Sequence, residues 1–306
     1  MTTPPNGAGR RQRLVIIAVG VALWVTAGLV WVGLRSPSPD EPRIESPACG
    51  DAVAKPGGGR WTCTFADDFS GASLDGGKWV PVKTAVNGFR NGPECYVDSQ
   101  DNVSVANGVL TLTARREAKP FTCASPFGSF TTEYTGGYVT TWRRFSQAFG
   151  RFEFRARFPD TKVVGVHSAL WLWPDDAKRY GESPASGEID VAEFYSAYPD
   201  RAVPYVHYVG DKLDPNATST TCMIARPEDF HTYVLVWTPQ TLTIEYDGNV
   251  CLVDDWQPTT MAKPAPFDQP FYLNLTQALG NGANTFDAAT TPVPATMQVD
   301  YVRVWS

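Results

Sequence analysis

The chain has 306 residues, with 26 lysines and arginines against 32 aspartates and glutamates, a formal net charge of −6. Four of the arginines lie in the first 35 residues, which contain no acid, so the rest of the chain carries a formal charge of −10. A domain this acidic lacks the positive surface that nucleic-acid binding needs, so the sequence excludes nucleic acid as a partner.

The first 48 residues differ in composition from the rest. Residues 1–13 are basic, and residues 14–34 are uncharged and apolar over a length that can cross a bilayer as one helix. This pattern predicts a cytoplasmic N-terminus and a single-pass transmembrane signal anchor in the cell membrane. Secretion after signal cleavage is the alternative, although the run lacks an Ala-x-Ala cleavage site. Residues 35–48 are a predicted proline-rich linker, and residues 49–306 are one predicted extracytoplasmic domain.

All six cysteines lie after the apolar segment, where disulfide bonds form. Six cysteines allow 15 pairings, and the sequence does not choose among them. Pairing of sequence neighbours gives one set: Cys49–Cys63, Cys95–Cys123 and Cys222–Cys251. A metal cluster is the alternative, but the sequence has no C-x-x-C motif to support it.

Strand patterns dominate the domain. Residues 103–114 form two alternating runs around Asn107-Gly108, a strong hairpin turn signal. Residues 151–158 alternate charged and apolar side chains, and further strands are predicted at 232–237, 242–246, 250–253 and 297–305. Many short strands with Gly, Pro and Asn turns predict an all-β sandwich of two antiparallel sheets.

One predicted strand carries three acids, in the segment SGEIDVAEF at residues 186–194. Strict alternation puts Glu188 and Asp190 on one face and Glu193 on the opposite, apolar face. One extra residue near Val191-Ala192, a β-bulge, would return Glu193 to the face of the other two acids. Acids are depleted in ordinary strands, so the pattern favours a functional site.

Such a set of carboxyls fits retaining glycoside hydrolysis, which needs one nucleophile and one proton donor close together. The acid between them can share charge and protons with both, which keeps the donor protonated near neutral pH. A calcium site or a surface acidic cluster is the alternative, although calcium prefers flexible loops to a strand.

The segment resembles the E-x-D-x-x-E signature of glycoside hydrolase family 16. Further matches follow in family order: FADDFSG at 65–71, FGRFE at 149–153, FHTY at 230–233 and VDYVRV at 299–304. The resemblance implies a jelly-roll sandwich with a substrate cleft across its concave sheet. It also implies Glu188 as nucleophile, Glu193 as general acid/base, Asp190 as the helper between them, and His207 near the catalytic centre.

The segments beside the carboxylates depart from the family pattern. His167 stands where many members have a sugar-stacking Trp, and Tyr138 replaces a frequent Arg. Gln277, in the altered segment TQALG at 276–280, completes this set of expected substrate contacts. Trp171 and Trp173 share one strand face and are candidate sugar platforms. Asp300 resembles a ligand of the structural calcium ion found in some members, and an ordinary exposed acid is the alternative.

Together the motifs predict a retaining endo-glycoside hydrolase of β-1,3-linked glucan or a related β-glycan. The resemblance implies a polysaccharide substrate, a monomer, and no cofactor for catalysis. A transglycosylase that uses the same covalent intermediate is one alternative. A non-catalytic glycan-binding protein is the second, although such relatives lack the catalytic glutamates, and Glu188 and Glu193 are both present here.

Overall fold

A computed structural model describes residues 49–306. The predicted transmembrane segment and linker lie outside these residues. Within 49–306, no helix combines the length and apolar character needed to span a membrane. The regular secondary structure of the described part is almost entirely β, as the strand patterns predict. Its helical elements are α1 (Thr84–Asn87) and two single 3-10 turns at Asp211–Leu213 and Gly282–Asn284.

Fifteen strands follow one another along the chain. They are β1 (Cys63–Asp67), β2 (Val80–Pro81), β3 (Cys95–Tyr96), β4 (Val103–Ala106), β5 (Val109–Cys123), β6 (Phe130–Thr140), β7 (Gly150–Arg157), β8 (Val166–Pro174), β9 (Glu188–Tyr195), β10 (Val203–His207), β11 (His231–Trp237), β12 (Leu242–Tyr246), β13 (Asn249–Asp254), β14 (Phe271–Leu279) and β15 (Ala295–Trp305).

The strands form two packed layers of a jelly-roll-like sandwich. The front sheet has the order β10-β9-β8-β14-β6, and the back sheet has the order β5-β15-β7-β11-β12-β13. The prediction of two separate antiparallel sheets is incomplete, because β5 and β6 are hydrogen-bonded to each other and join the layers. One pair, β3 with β6, is parallel.

The β4–β5 turn has the geometry that the sequence predicts. Asn107 and Gly108 both have positive φ, 54° and 75°, as a two-residue hairpin turn requires. The prediction that β5 ends at Ala114 is wrong, because the strand continues to Cys123. Its extension is mostly exposed and carries the charged residues Arg115, Arg116, Glu117 and Lys119, so it lacks the apolar alternation of the first half.

The core fills the space between the two sheets. From the front sheet, Leu170, Leu172 and Phe194 are fully buried; from the back sheet, Phe152 and Leu235 meet them. Because strand side chains alternate, these core residues force their neighbours on β8 and β9 onto the outer face of the front sheet. That outer face carries the predicted functional residues.

All six cysteines are paired, in the same three pairs that sequence neighbours suggest. Their Cα–Cα distances are 5.7 Å for Cys49–Cys63, 5.9 Å for Cys95–Cys123 and 5.4 Å for Cys222–Cys251. The last two bonds close loops of 28 and 29 residues, and closure of such loops stabilises a fold by roughly 3 kcal/mol each. The metal-cluster alternative for the cysteines is therefore wrong.

Candidate active site

The three acids of β9 lie on the outer face of the front sheet because the strand contains the predicted bulge. In the ladder with β8, Leu170 is opposite Ala192 and Trp171 is opposite Asp190, so Val191 is the extra residue. The register against β10 shifts at the same place. Val191 and Ala192 both belong to the buried core. The bulge prediction is confirmed, and it is what turns Glu193 outward.

A hydrogen bond from the opposite sheet stabilises this bulge. The hydroxyl of Tyr246, on β12, donates to the carbonyl oxygen of Val191 at 2.9 Å in a buried environment. A bulged residue loses its ladder partners, so its carbonyl needs another donor. Tyr246 supplies that donor across the core.

We therefore expect Tyr246→Phe to lower the free energy of unfolding by about 1–3 kcal/mol, because the Val191 carbonyl is left buried without a partner. Activity should fall as well, since the bulge orients Glu193. Urea denaturation and kcat/KM measure the two effects. Tyr233→Phe is the matched control, because the Tyr233 hydroxyl is buried near Tyr246 but has no hydrogen-bond partner within residues 49–306. Equal losses in both variants would contradict the role of Tyr246.

Burial controls the protonation of the three carboxyls. Desolvation raises the pKa of Asp190 to about 8. It also raises the pKa of Glu193 to about 8, with repulsion from Asp190 adding to the effect. Burial and the neighbouring Asp190 raise the pKa of Glu188 well above its usual range. The three groups therefore cannot all be ionised near neutral pH, and the site retains protons.

His207, at the end of β10, lies between two carboxylates. Its Nε2 is 3.2 Å from Asp190 Oδ2, and its Nδ1 is 3.1 Å from Asp211 Oδ2. The ring stacks on Tyr205 at a centroid distance of 3.8 Å. His207 thus lies at the acid cluster, where the resemblance places it. Asp211 was not identified from the sequence, because it lies beyond the strand in a 3-10 turn that no pattern marks.

His167 and Tyr195 surround Glu193. The Tyr195 hydroxyl donates a hydrogen bond to Glu193 Oε1 at 2.6 Å, and His167 Nε2 is 3.7 Å from the same oxygen. Burial lowers the pKa of His167 to about 4, so its ring is neutral near neutral pH. Tyr195 was not identified from the sequence, although its position two residues after Glu193 puts both side chains on one face.

Aromatic residues lie around the three acids of β9. A cavity of about 130 Å³ opens over the three carboxyls, and Trp171, Thr276, Phe89 and Asn91 are among its lining residues. Trp171 Nε1 donates a hydrogen bond to Thr276 Oγ1 at 2.9 Å. Phe89 and Asn91 come from the loop before β3, which no sequence pattern marked.

The buried carboxylate of Glu94 holds that loop in place. It accepts hydrogen bonds from the backbone N–H groups of Asn91, Gly92 and Leu279 at 3.0, 3.1 and 3.2 Å. Leu279 ends β14, so Glu94 ties the loop to the front sheet. Phe89 and Asn91 are thereby fixed over the carboxyls.

A larger cavity lies on each side of the acids, each of about 500 Å³. The cavity on the Glu188 side is lined by Trp173, Tyr138 and Tyr272 together with residues 80–83, 174, 175 and 177. The cavity on the Glu193 side is lined by Tyr195, Tyr198, Arg201, Val203, Thr220 and residues 281–284. A long ligand can therefore contact the chain on both sides of the carboxyls.

Tyr138 lines the cavity on the Glu188 side, but its hydroxyl already forms a hydrogen bond within the protein. It donates to Asn274 Oδ1 at 2.8 Å, and the side chain is buried among Trp171, Tyr96 and Phe89. Tyr138 therefore supports the aromatic wall and does not replace the charged contact of an arginine.

Gln277 does not line the cleft, so the expectation that it contacts substrate is wrong. It is fully buried, accepts a hydrogen bond from Ser168 Oγ at 2.7 Å, and donates to the carbonyls of His167 and Ala278. Its neighbour Thr276 lines the central cavity instead. Adjacent strand residues point to opposite faces, which explains the one-residue error.

The calcium interpretation of Asp300 is not supported. Its carboxylate forms an ion pair with Arg155, at 2.5 Å from Nη1. Residues 49–306 contain no group of three or more His, Cys, Asp or Glu side chains arranged to hold a metal ion. The exposed-acid alternative fits better, because the half-exposed Asp300 balances a basic side chain on the neighbouring strand β7.

Comparison with known proteins agrees with this geometry. The family model described as "Beta-porphyranase A-D, GH16 domain" matches residues 62–306. The glucan endo-1,3-beta-glucosidase A1 of Niallia circulans is 34% identical over 264 residues, which cover 79% of this chain and 37% of that protein. The chain thus spans little more than a third of that relative. The beta-glucanase of Rhodothermus marinus is 31% identical over 268 residues, covering 80% and 85% of the two chains.

A solved structure shows the same architecture. The laminarinase from Rhodothermus marinus superposes with a TM-score of 0.66 at 30% sequence identity, covering 80% of this chain and 97% of that chain. The family match extends over both sheets and includes the carboxylate strand. This chain belongs to glycoside hydrolase family 16.

Proposed function

We propose that the chain is a retaining, endo-acting hydrolase of β-1,3-linked glucan. The observation that supports this most directly is the bulged strand, which presents Glu188, Asp190 and Glu193 on one face between two aromatic cavities. The names of the two relatives, a glucan endo-1,3-beta-glucosidase and a beta-glucanase, support the same substrate class.

In this mechanism Glu193 acts first as an acid. Burial keeps its proton in place near neutral pH, and that proton passes to the glycosidic oxygen as the bond to the anomeric carbon breaks. Glu188 attacks the anomeric carbon as a carboxylate and forms the glycosyl-enzyme. Burial opposes the ionisation of Glu188, and a neutral Asp190 removes the repulsion that would oppose it further. Glu193, now a carboxylate, then takes a proton from water, whose oxygen displaces Glu188.

Asp190 makes the ionisation of Glu188 easier by keeping its own proton. Its raised pKa, about 8, leaves it mostly neutral at pH 7. A neutral Asp190 adds no repulsion to the charge that Glu188 must carry. His207 Nε2 lies 3.2 Å from Asp190 Oδ2 and can share this proton, so the charge of the cluster can be redistributed between the two steps.

The alkaline limb of the pH profile should report Glu193. Its raised pKa means that the acid form, needed for the first step, is lost as pH rises through about 8. We expect kcat/KM on polysaccharide to fall above that pH. A glycoside with a leaving group that departs without protonation should lack this limb. A limb near pH 5 for both substrates would contradict the raised pKa of Glu193.

Endo action follows from the two side cavities. Trp173 and Tyr272 offer aromatic faces on the Glu188 side, and Tyr195 and Tyr198 offer them on the Glu193 side. Aromatic faces suit the apolar C–H faces of sugar rings. Because neither side is closed, a glycan chain can extend past the cleavage point in both directions.

The charges around the cleft favour an uncharged glycan. In the part of the chain that the structure describes, no Lys or Arg lines the central cavity. Lys83, beside the Glu188-side cavity, is 3.9 Å from Asp98. Arg201, beside the Glu193-side cavity, is bonded to both oxygens of Asp200 and to the Thr220 carbonyl. A glycan with sulfate or carboxylate groups would meet the acids of β9, and no Lys or Arg of the described residues lines the central cavity to balance its charge.

A substrate panel tests this proposal. We expect the purified domain to cut laminarin into oligosaccharides with an early fall in viscosity, and to act at least about a hundredfold more slowly on porphyran, because several kcal/mol of charge complementarity is missing. Preference for porphyran would contradict the substrate class. Release of single sugars with no early change in viscosity would contradict endo action.

We further propose that residues 14–34 anchor this enzyme to the cell membrane, with the domain outside. The apolar run, its basic flank and the disulfide-bonded domain support this location. A C-terminally tagged protein should stay with the membrane fraction and be accessible to external protease. Recovery of the tagged domain from the medium, trimmed after about residue 35, would support secretion instead.

A further inference from the structure

Tyr195 is in direct contact with the reacting carboxyl of Glu193. It follows Glu193 by two residues on β9, so both side chains are on the outer face of the front sheet. Its hydroxyl donates to Glu193 Oε1 at 2.6 Å. It also lines the Glu193-side cavity, where the departing part of the glycan must lie.

His167 holds the tyrosine from the neighbouring strand β8. The two rings are 4.7 Å apart between centroids and inclined by 34°. His167 Nε2 lies 3.7 Å from the same Oε1 atom, and burial lowers the pKa of His167 to about 4, so it contributes no charge near neutral pH. Within residues 49–306, no hydrogen bond engages the other oxygen, Oε2. One oxygen of Glu193 is therefore fixed, and the other faces the cleft.

We propose that Tyr195 is a positioning residue for the acid/base Glu193, fixing Oε1 so that Oε2 exchanges the proton with the glycosidic oxygen. The proposal rests on the function proposed above. As Oε2 gives its proton to the leaving oxygen, negative charge grows on the carboxylate. The Tyr195 hydrogen bond strengthens with that charge, so it stabilises the transition state more than the ground state.

Several other groups face Glu193, and none of them supplies the same hydrogen bond. Glu188 and Asp190 on β9 repel the Glu193 carboxylate when they are ionised, and His207 on β10 makes no hydrogen bond to it within residues 49–306. His167 on β8 is neutral and beyond hydrogen-bond distance. Tyr246 on β12 donates to the Val191 carbonyl. Among these groups Tyr195 alone donates to Glu193, so removal of its hydroxyl isolates one interaction.

The test is the pH profile of kcat/KM on laminarin for Tyr195→Phe. The hydrogen bond from Tyr195 lowers the pKa of Glu193 against the larger effect of burial, so its loss raises that pKa further. We expect the alkaline limb to move upward by about one on the pH scale and kcat/KM at pH 6 to fall about tenfold. Cleavage of an activated aryl glycoside should change less than twofold in its first step, which needs no acid.

Tyr301→Phe is the matched control, because Tyr301 also donates its hydroxyl to a glutamate, Glu153 Oε1 at 2.8 Å, but lies on the back sheet away from the cleft. Its pH profile should equal that of the wild type. Unchanged urea midpoints for both variants would show that the shift is not caused by misfolding. A wild-type profile in Tyr195→Phe overturns the role of Tyr195, whereas inactivity of the wild-type chain on every β-glycan overturns the proposed function itself.

Discussion

Glu188→Ala is expected to lose at least about a thousandfold in kcat on every β-glycoside, because no other group can form the glycosyl-enzyme. An activated substrate does not rescue this variant, since the missing step is the attack on the anomeric carbon. Added azide should restore turnover by attacking in place of the carboxylate, and the product should be an α-glycosyl azide. Product stereochemistry is measured by NMR.

The control for this variant is Glu182→Ala, since Glu182 is an exposed acid in the loop before β9. It removes the same side chain six residues earlier and should keep wild-type activity. A β-glycosyl azide from Glu188→Ala would mean that the roles of Glu188 and Glu193 are reversed.

Glu193→Ala should show the opposite pattern. Activity on polysaccharide should fall about 10²- to 10⁴-fold, because protonation of the leaving oxygen is lost. An activated aryl glycoside should still form the glycosyl-enzyme, which then accumulates because no base activates water. Azide needs no base, so it should release a β-glycosyl azide and restore turnover. Near-normal hydrolysis of polysaccharide by this variant would contradict the position that the bulge gives Glu193.

The bulge is the feature of the site that could be predicted from sequence with a physical reason. Alternation puts Ile189 and Val191 in the core, and an acid at 193 cannot face the core without a partner. One inserted residue resolves the conflict, and the structure contains it. The turn at Asn107-Gly108 was predictable for a similar reason, because few residue pairs adopt two consecutive positive φ values.

Contacts between distant segments could not be predicted in this way. Tyr246 supports the bulge from the opposite sheet, 55 residues along the chain, and no local pattern links it to Val191. The loop that carries Phe89 and Asn91 depends on Glu94, whose hydrogen bonds reach β14. The error at Gln277 has the same origin. Which β14 side chains point to the outer face of the front sheet depends on the register of β14 with β8.

The joining of the two sheets was missed because half of β5 lies beyond the core. Arg115, Arg116 and Glu117 follow Ala114, the last buried residue before Cys123 at the strand's end, so hydrophobic alternation stops at Ala114. The backbone pairing with β6 nevertheless continues to Cys123. The β5 strand is therefore longer than the part of it in which apolar and polar side chains alternate.

The most direct test of the retaining mechanism is to trap the covalent intermediate. A 2-deoxy-2-fluoro β-glucoside with a good leaving group should form a glycosyl-enzyme quickly and release it slowly, because fluorine destabilises the transition state of both steps and the leaving group assists only the first. Peptide mass mapping of the wild-type enzyme is then expected to find the sugar on Glu188. A label on Glu193 or Asp190, or turnover with inversion and no labelled peptide, would contradict the assignment of Glu188 as the nucleophile.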